Sequence, residues 1–248
     1  MTDPQNIYDD PTFFEGYRHL RETGQGLNEA LEQPALTEIL PERLDGLRVL
    51  DLGCGFGNFA RRAREMGAAS VLAVDISERM LAEARARTRD PMIEYRRVSI
   101  ETIAECAGPF DVAVSSYALH YVADYDAALR DIAGLMRKGG LFAFSVEHPM
   151  MTALPEQSWR RDGDGGASYW PIDHYAEEGA RQTRWFVDGV VKYHRTIATY
   201  VRGLLAAGFS LMGMAEPAPT DETIRARPDL ADHRRRPPVL ILAGRLAR

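Results

Sequence analysis

Val49-Leu50-Asp51-Leu52-Gly53-Cys54-Gly55-Phe56-Gly57-Asn58-Phe59-Ala60 decides how this chain is read. Leu47 to Leu52 is a largely apolar run of the length of one buried strand. Gly53, Gly55 and Gly57 then alternate. A segment follows with Phe59, Ala60, Ala63 and Met66 on one side and Arg61, Arg62, Arg64 and Glu65 on the other. The order is strand, glycine-rich turn, helix. Glycine lets the backbone take positive φ and lets a ligand approach it closely, and the helix start offers N–H groups with no intrahelical partner. Val71-Leu72-Ala73-Val74-Asp75 is a second strand ending in an acid, placed to hold a ribose hydroxyl pair as in dinucleotide folds. The glycines, however, read G-x-G-x-G rather than G-x-G-x-x-G, and Asp51 stands at the end of the first strand. A carboxylate there repels a pyrophosphate and suits a cation. The ligand expected is a nucleoside carrying an ammonium or sulfonium group.

At these residues the chain resembles the class I S-adenosylmethionine-dependent methyltransferases, of the small-molecule, type 11-like kind. Val49 to Gly55 is similar to their first motif, and Asp75-Ile76-Ser77-Glu78-Arg79-Met80-Leu81 to their second. The resemblance implies an α/β fold: a doubly wound, Rossmann-like, seven-stranded sheet with a terminal antiparallel hairpin and an aromatic-rich lid insertion. It implies S-adenosylmethionine as cofactor and S-adenosylhomocysteine as product. By the same resemblance Asp51, Gly53, Cys54 and Gly55 hold the amino-acid end of the cofactor, Asp75 the ribose, and Ile76 and Met80 the adenine face. Where the family often has an Asp at the adenine edge, this chain has Ser99 and Ile100, so a hydroxyl and a backbone N–H take that place. Ser115 closes the set, at the end of the fourth strand.

Composition bounds the rest. A chain of 248 residues fits one large domain, or one domain with a lid. Apolar content of 45% is ordinary for a globular protein. No apolar run approaches the length of a membrane span, and Met1 to Asn6 has neither the basic region nor the apolar core of a secretion signal. Cys54 and Cys106 make neither a disulfide framework nor a zinc pattern, so no metal is expected and a cytoplasmic location is the default. A net charge of −6 argues against nucleic acid as partner. The sequence does not give the oligomeric state.

Four segments are expected: an N-terminal helical cap (1–45), the cofactor-binding core (46–148), a lid or substrate insertion (149–194), and a closing helix with the last strands (195–248). In the cap, Pro11 starts a helix after Asp9 or Asp10, Gly24-Gln25-Gly26 breaks it, and Pro34 kinks or divides the next. The resemblance lays this cap across the cleft, with Tyr17, Arg21 and Asn28 as ligand contacts. In the core, Met92–Val98, Phe110–Ser116 and Leu141–Val146 read as strands and Ala127–Lys138 as a helix ended by Gly139. Ligands of open α/β sheets sit at the carboxyl ends of the strands, so Tyr117, His120, Glu147 and His148 border the reacting centre. The insertion has little periodicity and carries all three tryptophans, Trp159, Trp170 and Trp185. Long irregular segments of this kind are lids or binding loops. Trp170, His174, Tyr175, Trp185 and Tyr193 are its candidate substrate contacts. Arg184–Val187 and Val190–His194 read as a hairpin turning at Asp188-Gly189. Phe209–Met214 and Val239–Ala243 are the closing strands.

The function expected is methyl transfer from S-adenosylmethionine to a small-molecule acceptor. A sulfonium carries its own leaving group, so the protein has mainly to align the acceptor and exclude water. Where a base is needed, His120, His148 and His194 are the catalytic candidates. A cyclase or lyase consuming the same cofactor and a non-catalytic binding protein remain as alternatives.

Overall fold

The computed structural model describes residues 4–164 and 166–247. Met1–Asp3, Gly165 and Arg248 lie outside the described residues, and with them the start of the cap and of the segment read as lacking a secretion signal. Strands β1 (Arg48–Leu52), β2 (Ser70–Asp75), β3 (Ile93–Arg97), β4 (Phe110–Ser115) and β5 (Met136–Glu147) pair in parallel. The insertion forms two antiparallel pairs, β6 (Arg160–Arg161) with β7 (Ala167–Tyr169) and β8 (Gly179–Trp185) with β9 (Val187–His194). Then β10 (Phe209–Ala215) and β11 (Val239–Leu246) return to the main sheet as its antiparallel end. The resulting seven-stranded order is β10-β11-β5-β4-β1-β2-β3.

Helices cover both faces: α1 (Pro11–Glu22), α2 (Gln33–Ile39), α3 (Asn58–Glu65), α4 (Glu78–Ala86), α5 (Tyr125–Gly134), the short α6 (Pro149–Thr152), α7 (Ile197–Ala206) and α8 (Asp221–Ala226). Strands buried on both faces are nearly continuously apolar, and the period of two divides them between two cores. Leu50, Leu72, Phe142 and Leu240 face α5 and α7. Their neighbours Val49, Val71, Leu141 and Ile241 face α2, α3 and α4. Helix starts follow local chemistry. Asp10 caps α1 by accepting from Phe13 N at 2.9 Å, and Ser77 caps α4 by accepting from Met80 N at 3.1 Å. Pro34 divides its helix as expected: a single π-helical turn, Asn28–Glu32, precedes α2.

Two expectations are corrected. The helix foreseen over Ala127–Lys138 is α5, which starts earlier because Asp124 caps it and ends at Gly134. Met136 to Gly140 belong instead to β5, where Met136 pairs with Phe110 and Gly139, at φ 78°, turns the bulge that follows. The hairpin of the insertion turns at Phe186 (φ 59°), not at Asp188-Gly189, which forms a bulge within β9. Aromatic packing fixes that turn: the Phe186 ring stacks on Trp185 with centroids 5.1 Å apart and meets Phe13 edge-on at 5.5 Å.

The glycine turn tests this packing. Gly53 has φ 69°, and a Cβ there would stand 2.5 Å from the Ala118 Cβ. We expect Gly53→Ala to destabilise by about 1–3 kcal/mol. A Cβ on Gly134 meets nothing within 4 Å, so Gly134→Ala should be neutral or gain up to about 1 kcal/mol. Thermal melts giving Gly53→Ala a midpoint at or above that of Gly134→Ala would contradict this account.

Candidate functional site

The carboxyl ends of β1, β2, β4 and β5 open into one cavity of about 430 Å³. A side pocket of about 70 Å³ adjoins it at the glycine turn and shares Gly53, Gly55, Tyr17 and Ser116 as walls. β1 lies between β2 and β4, so this is the switch point of the sheet, where open α/β sheets bind ligands.

At this end the backbone itself is the surface. Gly53, Gly55 and Gly57 have φ of 69°, 52° and 70°. A Cβ on Gly55 would meet nothing within 4 Å, because that side faces open space. Gly55 N donates to Asp75 Oδ2 at 2.8 Å and Ser77 N to Oδ1 at 2.9 Å. Burial pushes the Asp75 carboxyl up to about 6, against these two N–H groups, which pull it down. Asp51 is pushed up to about 7, first by burial and then by the charge of Asp75. Its Oδ2 is buried with no partner among the described residues. Glu32, carried by the π-helical turn, is fully buried. Its Oε1 accepts from Ser145 Oγ at 2.8 Å, while Oε2 has no partner. Both carboxylates line the side pocket together with Arg21, whose guanidinium bonds Glu29 at 3.0 Å.

These groups fit the cofactor that the sequence implies. Buried carboxylate oxygens without donors suit an ammonium and a sulfonium. Arg21 suits a carboxylate. Asp75 lies in the cavity wall, where each of its oxygens keeps a lone pair for a ribose hydroxyl. Ile76, Met80 and Ile100 line an apolar stretch of the same wall, and Ser99 stands beside them with its hydroxyl donated to Glu101.

The far end of the cavity is aromatic, with a charged floor. Tyr8 meets Tyr17 edge-on at 5.2 Å and Tyr121 at 6.1 Å, and Tyr17 meets Trp185 at 6.0 Å. Lys192 is 2% exposed, a burial a lysine adopts only when paired. Its Nζ lies 2.5 Å from Glu147 Oε1 and 3.2 Å from Gln157 Oε1. Gln157 Nε2 donates to Glu147 Oε2 at 3.0 Å, which closes the triangle. Lys192, foremost, holds the Glu147 carboxyl below its ordinary range despite burial. His120 is buried, and burial pushes its pKa down to about 4, so the ring is neutral at pH 7. Its Nδ1 accepts from Glu147 N at 3.4 Å. The neutral tautomer therefore carries its proton on Nε2. His120 presents a donor to the cavity rather than the base foreseen for it.

Of the residues singled out in the sequence, Gly53, Gly55, Asp75, Ile76, Met80, Ser99, Ile100, Tyr17, Tyr117, His120, Glu147 and Trp185 line the cavity. Asp51 and Cys54 line the side pocket. Others are not brought there. Ser115 is buried one residue short of the wall, which Ser116 forms. His148 bonds Glu216 at 2.7 Å and caps α6 through Met150 N, and His194 bonds Thr152 Oγ1 at 2.8 Å and Tyr175 O at 2.9 Å. Both rings spend both nitrogens on bracing, and neither lines the cavity. Trp170 donates to Met150 O and packs on Arg236, while His174 is exposed and paired with Glu177. Tyr175 lines a separate surface groove, and Tyr193 packs against Arg195.

Sequence reasoning passed over Glu32, Lys192, Gln157, Tyr8 and Tyr121. For Lys192 there was a signal. In Val190-Val191-Lys192-Tyr193-His194 the strand period puts Val190, Lys192 and His194 on one side, and all three are buried. A lysine on the apolar side of a strand marks a partnered charge. Tyr193, chosen instead, has the opposite parity.

Residues 49–140 match a family model described as a methyltransferase domain. An S-adenosylmethionine-dependent methyltransferase of Mesorhizobium loti is 45% identical, with 89% of this chain and 100% of that one covered, and superposes with a TM-score of 0.80. An uncharacterized protein of Haemophilus influenzae is 34% identical over 99% of this chain and 98% of its own length. A ubiquinone biosynthesis O-methyltransferase of Rhizobium etli is 34% identical over 46% of each chain. A glycine turn between two acids, buried carboxylates awaiting a cation, and a relative matched along its whole length agree: the chain belongs to the class I S-adenosylmethionine-dependent methyltransferases, and S-adenosylmethionine is its cofactor.

Proposed function

We propose that the protein transfers a methyl group to a small-molecule acceptor held in the aromatic half of the cavity. The observation that carries this reading is that one continuous space runs from the glycine turn to Tyr8, Tyr121, Trp185 and Lys192, with the N-terminal segment and the lid hairpin both in its wall. Bound S-adenosylmethionine supplies an electrophilic methyl group that carries its own leaving group. Asp51, Glu32 and Arg21 hold the amino-acid end and Asp75 the ribose. Tyr117 and His120, from the loop after β4, border the space between the two halves. Trp185 and the tyrosines align a flat acceptor and exclude water, which is most of what this chemistry asks of a protein. The ubiquinone biosynthesis relative, an O-methyltransferase, supports a small acceptor. Incubation with the cofactor alone, and then with a panel of small acceptors, tests the reading. S-adenosylhomocysteine should form only when an acceptor is present. Methylthioadenosine formed without one would overturn methyl transfer in favour of a lyase or cyclase.

The cofactor end yields two further expectations. Removing the ribose acceptor with Asp75→Ala should weaken S-adenosylhomocysteine by roughly 30-fold or more, the value of hydrogen bonds to a charged group. Unchanged affinity in calorimetry would sink that assignment. The second concerns pH. In the free protein Asp51 and Asp75 titrate near 7 and 6, above the ordinary value of 3.8. Between about pH 4 and 7 the folded free protein binds protons that the unfolded chain does not, so its stability falls as pH rises through that window. A bound cation favours the ionised carboxylates and expels those protons, so cofactor affinity rises with pH over the same range. The gain in melting temperature on adding S-adenosylmethionine should therefore grow from pH 5.5 to 8, and Asp51→Asn should reduce that growth. A gain independent of pH would refute the assigned pairing.

A further inference from the structure

Unpartnered buried carboxylate oxygens line one end of the cavity system, and a buried lysine lines the other. Among the described residues the most deeply buried acids, Glu32, Asp51 and Asp75, stand at the glycine-turn end, while Glu147, with 17% of its side chain exposed, stands at the other end paired with Lys192. The buried bases are Lys192, Arg195 and Arg236; of these Lys192 lines the cavity, Arg195 sits behind the wall on the carbonyls of Val122 and Ala123, and Arg236 packs on Trp159 and Trp170. Arg195 raises the positive field at the buried His120: its Nη2 donates to Val122 O at 2.7 Å and Ala123 O at 2.8 Å, its guanidinium lies over the Tyr125 and Tyr193 rings, and no carboxylate bonds it among the described residues. Arg236 lies 3.7 Å from the Trp170 ring centroid, with Nε and Nη1 buried and unpartnered.

The acids near these bases do not balance them. Glu147 is spent on Lys192 and Gln157. Asp232 bonds Arg235 at 3.5 Å, and Glu216, 41% exposed, bonds His148. A buried cation without a counter-charge is costly, and burial already pushes Arg236 down to about 10. Two donors also converge on the cavity from this end. Lys192 has three N–H groups and two oxygen partners, Glu147 Oε1 and Gln157 Oε1. His120 presents Nε2–H.

Resting on the methyl-transfer reading, we propose that the acceptor is an anion: a small, ring-bearing carboxylate, or an acidic phenol or enol bound as its oxyanion, held at its charged oxygen by Lys192 and His120. The two ends of the cavity are then complementary to opposite charges, cationic cofactor at the acidic end and anionic acceptor at the basic end. An oxyanion needs no base to deprotonate it, in keeping with an imidazole that presents N–H rather than a lone pair. The aromatic walls supply the apolar contact for the ring.

Benzoate, benzamide and benzylamine share a shape and differ in charge, and titrating each into the protein saturated with S-adenosylhomocysteine tests the proposal. Benzoate should bind at least about tenfold tighter than either of the others. Lys192→Met should remove that preference while leaving S-adenosylhomocysteine affinity intact, which checks that the variant is folded. Glu147→Gln keeps an oxygen for Lys192 and deletes the one countering charge, so it should bind benzoate tighter than the wild type. A merely structural pair would lower affinity in both variants. The proposal is overturned if benzamide or benzylamine binds as well as benzoate, if none of the three binds at millimolar concentration, or if Glu147→Gln weakens benzoate as Lys192→Met does. No turnover is read in these titrations, so failure of the methyl-transfer reading would show separately, in the acceptor panel.

Discussion

Two backbone N–H groups, of Gly55 and Ser77, close on the carboxylate of Asp75, and much of the site hangs from that contact. One bond ties the glycine turn after β1 to the end of β2. The other sets the first residues of α4, whose cap is Ser77. Ser77 Oγ in turn donates to Asp9 Oδ1 at 2.6 Å, so the N-terminal segment docks on the same helix start. Without an acid at 75 the glycine turn, whose alternate residues Gly53, Gly55 and Gly57 are left-handed, loses its side-chain link to β2, and Ser77, on which the N-terminal segment docks, loses its bond to the end of that strand. The carboxylate serves the fold with one lone pair on each oxygen and keeps the other pair for a ligand. Its raised pKa in the free protein reflects burial, which outweighs the two N–H groups.

Most of the glycine-turn end of the cavity was legible in the sequence because it is local, whereas Glu32 reaches it from the distant N-terminal segment and was not. From Val49 to Leu81 the strand, turn, acid and capped helix follow one another with no long excursion, and each residue type carries a conformational or chemical demand of its own. The positive φ of the glycines, the Ser77 cap and the burial of Asp51 are consequences of that short stretch. The acceptor half was not legible in the same way. Glu147, Gln157, Lys192 and His120 come from four separate segments, and only the folded lid brings them together. His148 and His194 have the chemistry of catalytic residues and none of the placement, because both rings are consumed in fixing α6 and β9. The hairpin turn failed for a related reason. Asp188-Gly189 is the stronger local signal, but the tertiary packing of Phe186 on Phe13 and Trp185 selects the other position.

Strand β9 joins the N-terminal segment to the cavity wall. Its Lys192 side chain forms part of the cavity wall, while the backbone of the preceding residue serves the N-terminal segment: Val191 N donates to Gln5 Oε1 at 2.8 Å, and Gln5 Nε2 donates to Val191 O at 3.3 Å. The same hairpin carries Trp185 and Phe186, which pack on Phe13 of α1. Tyr8, between Gln5 and Phe13, sits in the cavity wall. The N-terminal segment and the lid are therefore one roof with two origins in the chain, hinged on Asp9 at α4 and on Val191 at β9. A ligand that displaces either part must break contacts of both. The contacts that tie the N-terminal segment to the hairpin therefore also fix Lys192 in the cavity wall, so one set of interactions both covers the cavity from water and positions its charged group.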